Sequence, residues 1–210
     1  MITDSQLQSL PDWKKEVGAN IGGVSPTNYG FFQLGGLMLL YTEGPKYADW
    51  LAAISRPICP NTGNLSLSFQ VMVDADSLTA AQALEFDTKV SIATYIYNFS
   101  SQLNYAEGGM LQISNAQGNW IDTGFKPGKL TPGVWHTFVY VYKFDTGAKT
   151  YSIVSVEIDG LIFPIPSSLG NLKAIQSNWA DSANFQVQLD LGANSGTFSE
   201  LIQNAEFTWA

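Results

Sequence analysis

Strict alternation of apolar and polar residues is the feature that most constrains this chain. A period of two suits a strand with one buried face and fits no helix. In 65–73, Leu65, Leu67, Phe69, Val71 and Val73 fall on one face, and Ser66, Ser68, Gln70 and Met72 on the other. Segment 185–191 separates Phe185, Val187, Leu189 and Leu191 from Gln186, Gln188 and Asp190. Over 84–97 the pattern reads as one strand, with Leu84, Phe86, Val90, Ile92 and Ile96 opposite Glu85, Asp87, Lys89, Ser91, Tyr95 and Tyr97. Segments 110–114, 135–143, 151–159 and 203–209 read as further strands. Between them lie turn formers such as Gly108-Gly109, Pro132-Gly133, Asp145-Thr146-Gly147, Asp159-Gly160 and Asn194-Ser195-Gly196. Many strands joined in this way predict an all-β, two-sheet antiparallel jelly-roll sandwich. Only 45–55, with Tyr47, Trp50, Leu51 and Ile54, carries a helix-like spacing.

A β-sandwich readily absorbs 210 residues as one unit, and no repeat or linker divides the chain. A single domain over 1–210 is therefore expected. Residues 1–28 form an N-terminal arm or short helix in this reading, since Leu7, Leu10 and Trp13 are spaced three apart and Pro11 interrupts them. The net charge is −8, from 18 acids and 10 bases, with no Lys/Arg cluster. Such a surface repels phosphate backbones, anionic membranes and acidic polysaccharides, while a neutral glycan or polysaccharide stays open as a partner. No segment approaches the ~20 apolar residues of a membrane span. The start, Met1-Ile2-Thr3-Asp4-Ser5, has neither the basic nor the apolar region of a leader, so a cytoplasmic protein and one whose leader has been removed both stay open. Cys59, the lone cysteine, can form no intrachain disulfide and reads as a small buried thiol between Pro57 and Pro60. Nothing in the sequence sets the oligomeric state.

Two stretches carry a family likeness. Gly133-Val134-Trp135-His136-Thr137-Phe138-Val139-Tyr140, followed by Val154-Ser155-Val156-Glu157-Ile158-Asp159-Gly160, resembles the paired strands of laminin-G-like and β-glucanase-like jelly rolls. Ala83-Leu84-Glu85-Phe86-Asp87-Thr88 resembles two things: the metal-binding Glu-Phe-Asp-Thr strand of legume lectins, and the Glu-x-Asp strand that bears the β-glucanase nucleophile. With the C-terminal strands from Phe185 to Trp209, the likeness spans roughly residues 60–210 and points to the concanavalin A-like lectin/glucanase superfamily, near uncharacterised bacterial members. It implies an extracellular or periplasmic setting. The first 60 residues match no pattern of that group.

The chain departs from both patterns where chemistry is concerned. The glucanase acid/base position holds Lys89 or Val90, and a lysine cannot act as a protonated carboxylic acid towards a glycosidic oxygen. The lectin metal site needs a further Asn, Asp and His, yet Asn98 is followed by Ser100, Ser101 and Gln102, with no acid before Glu107. A manganese–calcium pair is therefore not expected; a calcium ion held elsewhere stays open, and no other cofactor is implied. Glu85 and Asp87 are two apart and share a sheet face, where Gln70, Gln112, Gln188 and Asp190 can converge with them. Trp120 and Trp179 sit in polar, loop-like surroundings that suit stacking on a sugar ring, whereas Trp135 and Trp209 read as core and the sole histidine, His136, as structural. The candidate ligand-binding set is Glu85, Asp87, Gln112, Trp120, Trp179 and Gln188. Three functions follow. The first is a non-catalytic glycan-binding module. The second is a glycoside hydrolase or polysaccharide lyase built on Glu85 and Asp87, with help from Asp190 or Glu107. The third is a structural or assembly subunit. Beside them stands a plainer possibility, that Glu85, Asp87 and Lys89 form a solvated strip of mutually paired charges.

Overall fold

The structure, a computed structural model, describes residues 2–18, 23–58, 63–115, 118–170, 172–193 and 195–210. Cys59 and Asn194 of the Asn-Ser-Gly turn lie outside the described residues. The strands are, in chain order, β1 (Ile2–Asp4), β2 (Lys14–Val17), β3 (Asn28–Leu34), β4 (Leu37–Gly44), β5 (Asp49–Arg56) and β6 (Asn64–Val73). Then come β7 (Ala81–Ile92), β8 (Tyr95–Asn104), β9 (Met110–Ser114), β10 (Trp120–Asp122), β11 (His136–Asp145) and β12 (Thr150–Ile158). The last are β13 (Leu161–Pro164), β14 (Leu172–Lys173), β15 (Ile175–Gln176), β16 (Ser182–Leu191) and β17 (Gly196–Trp209). Among the named elements of the described residues, the helical ones are a 3-10 turn at Leu7–Ser9 and two short helices, α1 (Ala75–Ala80) and α2 (Ser167–Gly170).

Two antiparallel sheets result. The first orders β13-β12-β11-β6-β17-β4-β3, with β1 added to β17 and β14 to β12; the second orders β10-β9-β8-β7-β16-β5-β2, with β15 added to β8. The chain passes from one sheet to the other repeatedly: β4 to β5, β6 through α1 to β7, β10 to β11, β14 to β15 and β16 to β17. Neither sheet is complete without segments from both halves of the chain.

The alternating residues do what their period demands. Leu65, Leu67, Phe69, Val71 and Val73 of β6 face Phe86 of β7 and Phe185, Val187 and Leu189 of β16, and all are buried. Phe69 is the hub, its ring 4.6 Å from Phe86, 5.2 Å from Phe185 and 5.5 Å from Phe138, so aromatic contacts join the two sheets. Trp209 is core as expected, whereas Trp135 is only half-buried, because it lies just before β11 rather than within it.

Three expectations need correction. The run 84–97 is not one strand: Ala93 and Thr94, at φ 49° and 70°, make a two-residue hairpin between β7 and β8. The turn resets the parity, so Tyr97 enters the core instead of joining Glu85 on the outer face. Segment 45–55 is not helical but contains β5, with Trp50, Ala52 and Ile54 inward and paired to β16. Residues 1–28 are more than an arm. β1 pairs with β17 and β2 with β5, so they contribute to both sheets, and Leu7–Ser9 forms a 3-10 turn. Buried Gln8 clamps this segment: its Nε2 donates to the Gly36 carbonyl at 2.8 Å, and its Oε1 accepts from the Ala205 amide at 2.9 Å, beside the bulge in β17.

His136 is structural, as its position suggested. Its Nδ1 donates to Asp159 Oδ2 at 2.6 Å while Nε2 accepts from the Thr131 amide at 3.0 Å. Asp159 also accepts from the Thr137 amide at 2.8 Å and opens the Asp159-Gly160 hairpin, where φ of 51° and 83° explains the glycine.

Candidate functional site: the outer face of the second sheet

β7 lies near the middle of the second sheet, between β8 and β16. Its inward set is Leu84, Phe86, Thr88 and Val90, so Glu85, Asp87 and Lys89 project from the outer face. Pairing registers extend that face in rows. Through Glu85 run Glu16, Leu51, Gln188, Glu85, Gln102, Gln112 and Asp122, one residue from each of seven strands. Through Asp87 run Lys14, Ala53, Gln186, Asp87 and Ser100. Two residues along from Gln188, Asp190 stands beside Asp49.

The central side chains form a connected network. Gln188 Nε2 donates to Glu85 Oε2 at 3.1 Å and to both carboxylate oxygens of Asp190, at 3.1 and 3.2 Å. Gln112 Oε1 accepts from Gln102 at 2.6 Å and Asn104 at 3.1 Å, while its Nε2 donates to Asp122 at 2.6 Å. Acceptors nevertheless outnumber donors. Among the described residues Asp87 Oδ1, Gln186 Oε1, Asn98 Oδ1 and Asp49 Oδ1 are buried without a hydrogen-bond partner.

Burial governs the charges here. Glu85 is 7% exposed and Asp87 6%. Burial, reinforced by the Asp87 and Asp190 charges, raises Glu85 well above the usual carboxyl range; protonated Glu85 donates to Asp190, and Lys89 opposes the shift. Burial carries Asp190 to about 7, against the hydrogen bonds from Gln188 and Glu85. It carries Asp87 to about 6, against Lys89 and the Ser100 hydroxyl. Asp49 also reaches about 6 through burial, opposed by a backbone hydrogen bond. The solvated, paired strip does not form. These carboxyls are buried, and the ion pairs within 4.0 Å among the described residues are Arg56–Asp4 and His136–Asp159, neither of them on this face.

Glu85, Asp87, Gln188 and Gln112 are thus brought onto one face. Trp120, in the edge strand β10, stands two residues from Asp122 and so at the far margin of the same face, half-buried. Trp179 lies at the opposite flank, 51% exposed, its carbonyl held by the Ser91 hydroxyl at 3.2 Å. It overhangs an open groove of about 620 Å³ floored by Lys14, Leu51, Ala53, Asn184 and Gln186. The two tryptophans therefore do not make one plate. Gln70 does not converge at all: it faces out from the first sheet, bonded to Gln203, Asn204 and Thr137.

Sequence reasoning missed Asp49, Asn98, Gln102 and Gln186. Asp49 was hidden by the helix-like spacing of 45–55. Gln186 already stood on the polar side of 185–191, and Asn98 and Gln102 had a legible signal: after Thr94, Asn98, Ser100, Gln102 and Asn104 alternate with Tyr97, Phe99, Ser101 and Leu103.

With this geometry in hand, the chain can be set beside known proteins. No family model and no curated protein matches the sequence. Solved structures do. Peanut lectin in complex with a nine-residue peptide aligns over 100% of this chain and 98% of its own, with a TM-score of 0.56 and 12% identity. The carbohydrate recognition domain of Emp47p aligns over 96% and 90%, at 0.54 and 11%. A native glycosidic hydrolase aligns over 98% and 95%, at 0.53 and 10%. The fold is the concanavalin A-like jelly roll. Although the first 60 residues carry no family motif, their strands β2 and β5 close one flank of the candidate face.

Proposed function

We propose that this jelly roll is a non-catalytic glycan-binding module and that its ligand lies along the outer face of the second sheet. One contrast carries the reading. Both outer faces are lined with amides, yet on the first sheet Gln70 is fully engaged by its neighbours, whereas on the second Asp87, Gln186 and Asn98 each keep a buried oxygen unpartnered among the described residues. Unmet acceptors beside an open groove and an exposed tryptophan are what a polyhydroxylated ring, with hydroxyl donors and an apolar face, would complete. The carbohydrate-binding names among the structural neighbours agree with this direction. An extracellular or periplasmic setting fits such a ligand. The reading assigns no metal: among the described residues no three acidic, histidine or cysteine side chains are grouped to hold one.

A second reading has its own support. Glu85 and Asp87 lie two residues apart on one sheet face, with Cα atoms about 6.6 Å apart, and an inverting glycosidase would use protonated Glu85 as acid and Asp87 as base. A glycan array on the wild type, Glu85→Gln, Trp179→Ala and Trp120→Ala, with and without calcium, separates the two. Saturable binding without turnover, weakened by Trp179→Ala, supports the module. Substrate consumed by the wild type but retained by Glu85→Gln supports the hydrolase. Neither binding nor turnover across the panel sinks both and leaves an assembly role.

A further inference from the structure

We propose that the glycan taken by this face carries protonated amines, so that the ligand is an amino sugar rather than a neutral or acidic one. The inference rests on the glycan-binding reading and narrows it. The sequence kept a neutral ligand open and shows no basic cluster, but it does not disclose where the acids gather. Register collects Asp49, Asp190, Glu85 and Asp87 on three adjacent strands, with Glu16 and Asp122 closing the Glu85 row at its two ends. Against them stand Lys89, half-buried, and Lys14 at the margin. Neither lysine makes an ion pair within 4.0 Å among the described residues.

The hydrogen-bond balance points the same way. The buried side-chain atoms left unpartnered on the face, among the described residues, are all oxygen acceptors, on Asp49, Asp87, Asn98 and Gln186, and Gln186 lines the groove. An ammonium brings three donors, no acceptor and a positive charge, whereas an acetamido or carboxyl substituent would bring further acceptors. Burial disfavours the charged form of these carboxyls, and an arriving ammonium would favour their ionised forms and pair with them away from bulk water. A divalent metal would need several carboxylates converging on one point. Here the acids are spread along rows, and no three are grouped for an ion among the described residues. Acids distributed over several strands suit an extended ligand carrying several amines better than a single point charge.

The test is calorimetric titration at pH 6 with three oligosaccharides of equal length: a glucosamine oligomer, its fully N-acetylated form and an unsubstituted glucose oligomer, with calcium chloride alone as a fourth titrant. The expected result is at least tenfold tighter binding of the glucosamine oligomer than of the other two, weakened by 0.5 M salt on the order of tenfold as exposed-side attraction is screened. In Asp87→Asn the preference should fall by about tenfold. The comparison among ligands on wild-type protein does not depend on that variant folding. Equal or tighter binding of either neutral oligomer overturns the amine inference while leaving the glycan reading intact. No binding by any oligomer overturns the glycan reading itself. Saturable calcium binding that Asp87→Asn abolishes, with no response to the amine, overturns the inference in favour of a cation site.

Discussion

Glu200 offers a quantitative test of the packing, away from the candidate site. It projects inward from β17 beside Leu40 of β4 and Val73 of β6 and is 1% exposed. Neither carboxyl oxygen has a hydrogen-bond partner among the described residues. Burial alone raises its pKa from 4.5 to about 8. The folded state therefore holds a proton that the unfolded chain releases above pH 4.5. The contribution to stability is full below that pH, falls as pH rises towards 8, and is flat beyond. At 1.36 kcal/mol per pH unit the whole window is worth roughly 5 kcal/mol, and the loss by pH 7 about 3 kcal/mol. Glu200→Gln keeps the shape and removes the titration. In urea denaturation at pH 4.5, 6, 7 and 8, the variant should match the wild type within about 1 kcal/mol at the lowest pH and exceed it by about 3 kcal/mol at pH 7. Other titrating groups cancel in the difference. A gap between the two proteins that stays constant from pH 4.5 to 8 would refute the argument, since it would mean that Glu200 ionises normally.

Three further perturbations probe the face and its supports. Asp87→Asn should stabilise the fold by about 3 kcal/mol at pH 8 and by little at pH 4, because burial raises the pKa from 3.8 to about 6; thermal melts at the two pH values check this. Gln8→Ala should destabilise by about 2 kcal/mol in chemical denaturation, since it strands the Ala205 amide and the Gly36 carbonyl. Trp179→Ala should change stability by less than about 0.5 kcal/mol, because the ring is half in solvent, while abolishing glycan binding on the array.

How much of this was legible beforehand depends on which physical rule a segment obeys. Where alternation is uninterrupted, as in β6 and β16, the sequence alone assigns strand, face and core correctly, because side-chain parity follows from backbone pleating. It failed at Ala93-Thr94, which carries no Gly, Asn or Asp to announce positive φ, so β7 and β8 merged and Asn98, Ser100 and Gln102 were lost from the site. It failed again at β5, where Tyr47, Trp50, Leu51 and Ile54 mimic a helical spacing although only Trp50 and Ile54 share the inward face. Parity also cannot say which strands become neighbours. Gln70 and Gln188 look alike in sequence, and only the strand order sends them to opposite sides of the molecule.

The same limit applies to charge. Nothing in the alternation of β7 and β16 requires acids at 85, 87 and 190; serine or glutamine would keep the pleat, as Ser66, Ser68 and Gln70 do on β6. Three carboxyls with raised pKa values, Glu85 and Asp87 buried and Asp190 half-buried, are a cost to folding that the sandwich does not need for its core, and Lys89 does not offset it by an ion pair. Buried, mutually repelling acids of this kind concentrate where a ligand or a reaction uses them. The Asp87→Asn melt therefore bears on function as well as stability. A variant that gains stability while losing its ligand would place Asp87 in service of binding. A variant with unchanged stability would mean that the local hydrogen bonds from Ser100 and the Ser101 backbone already compensate the charge, and the case for a site at β7 would have to stand on Trp179 and the groove alone.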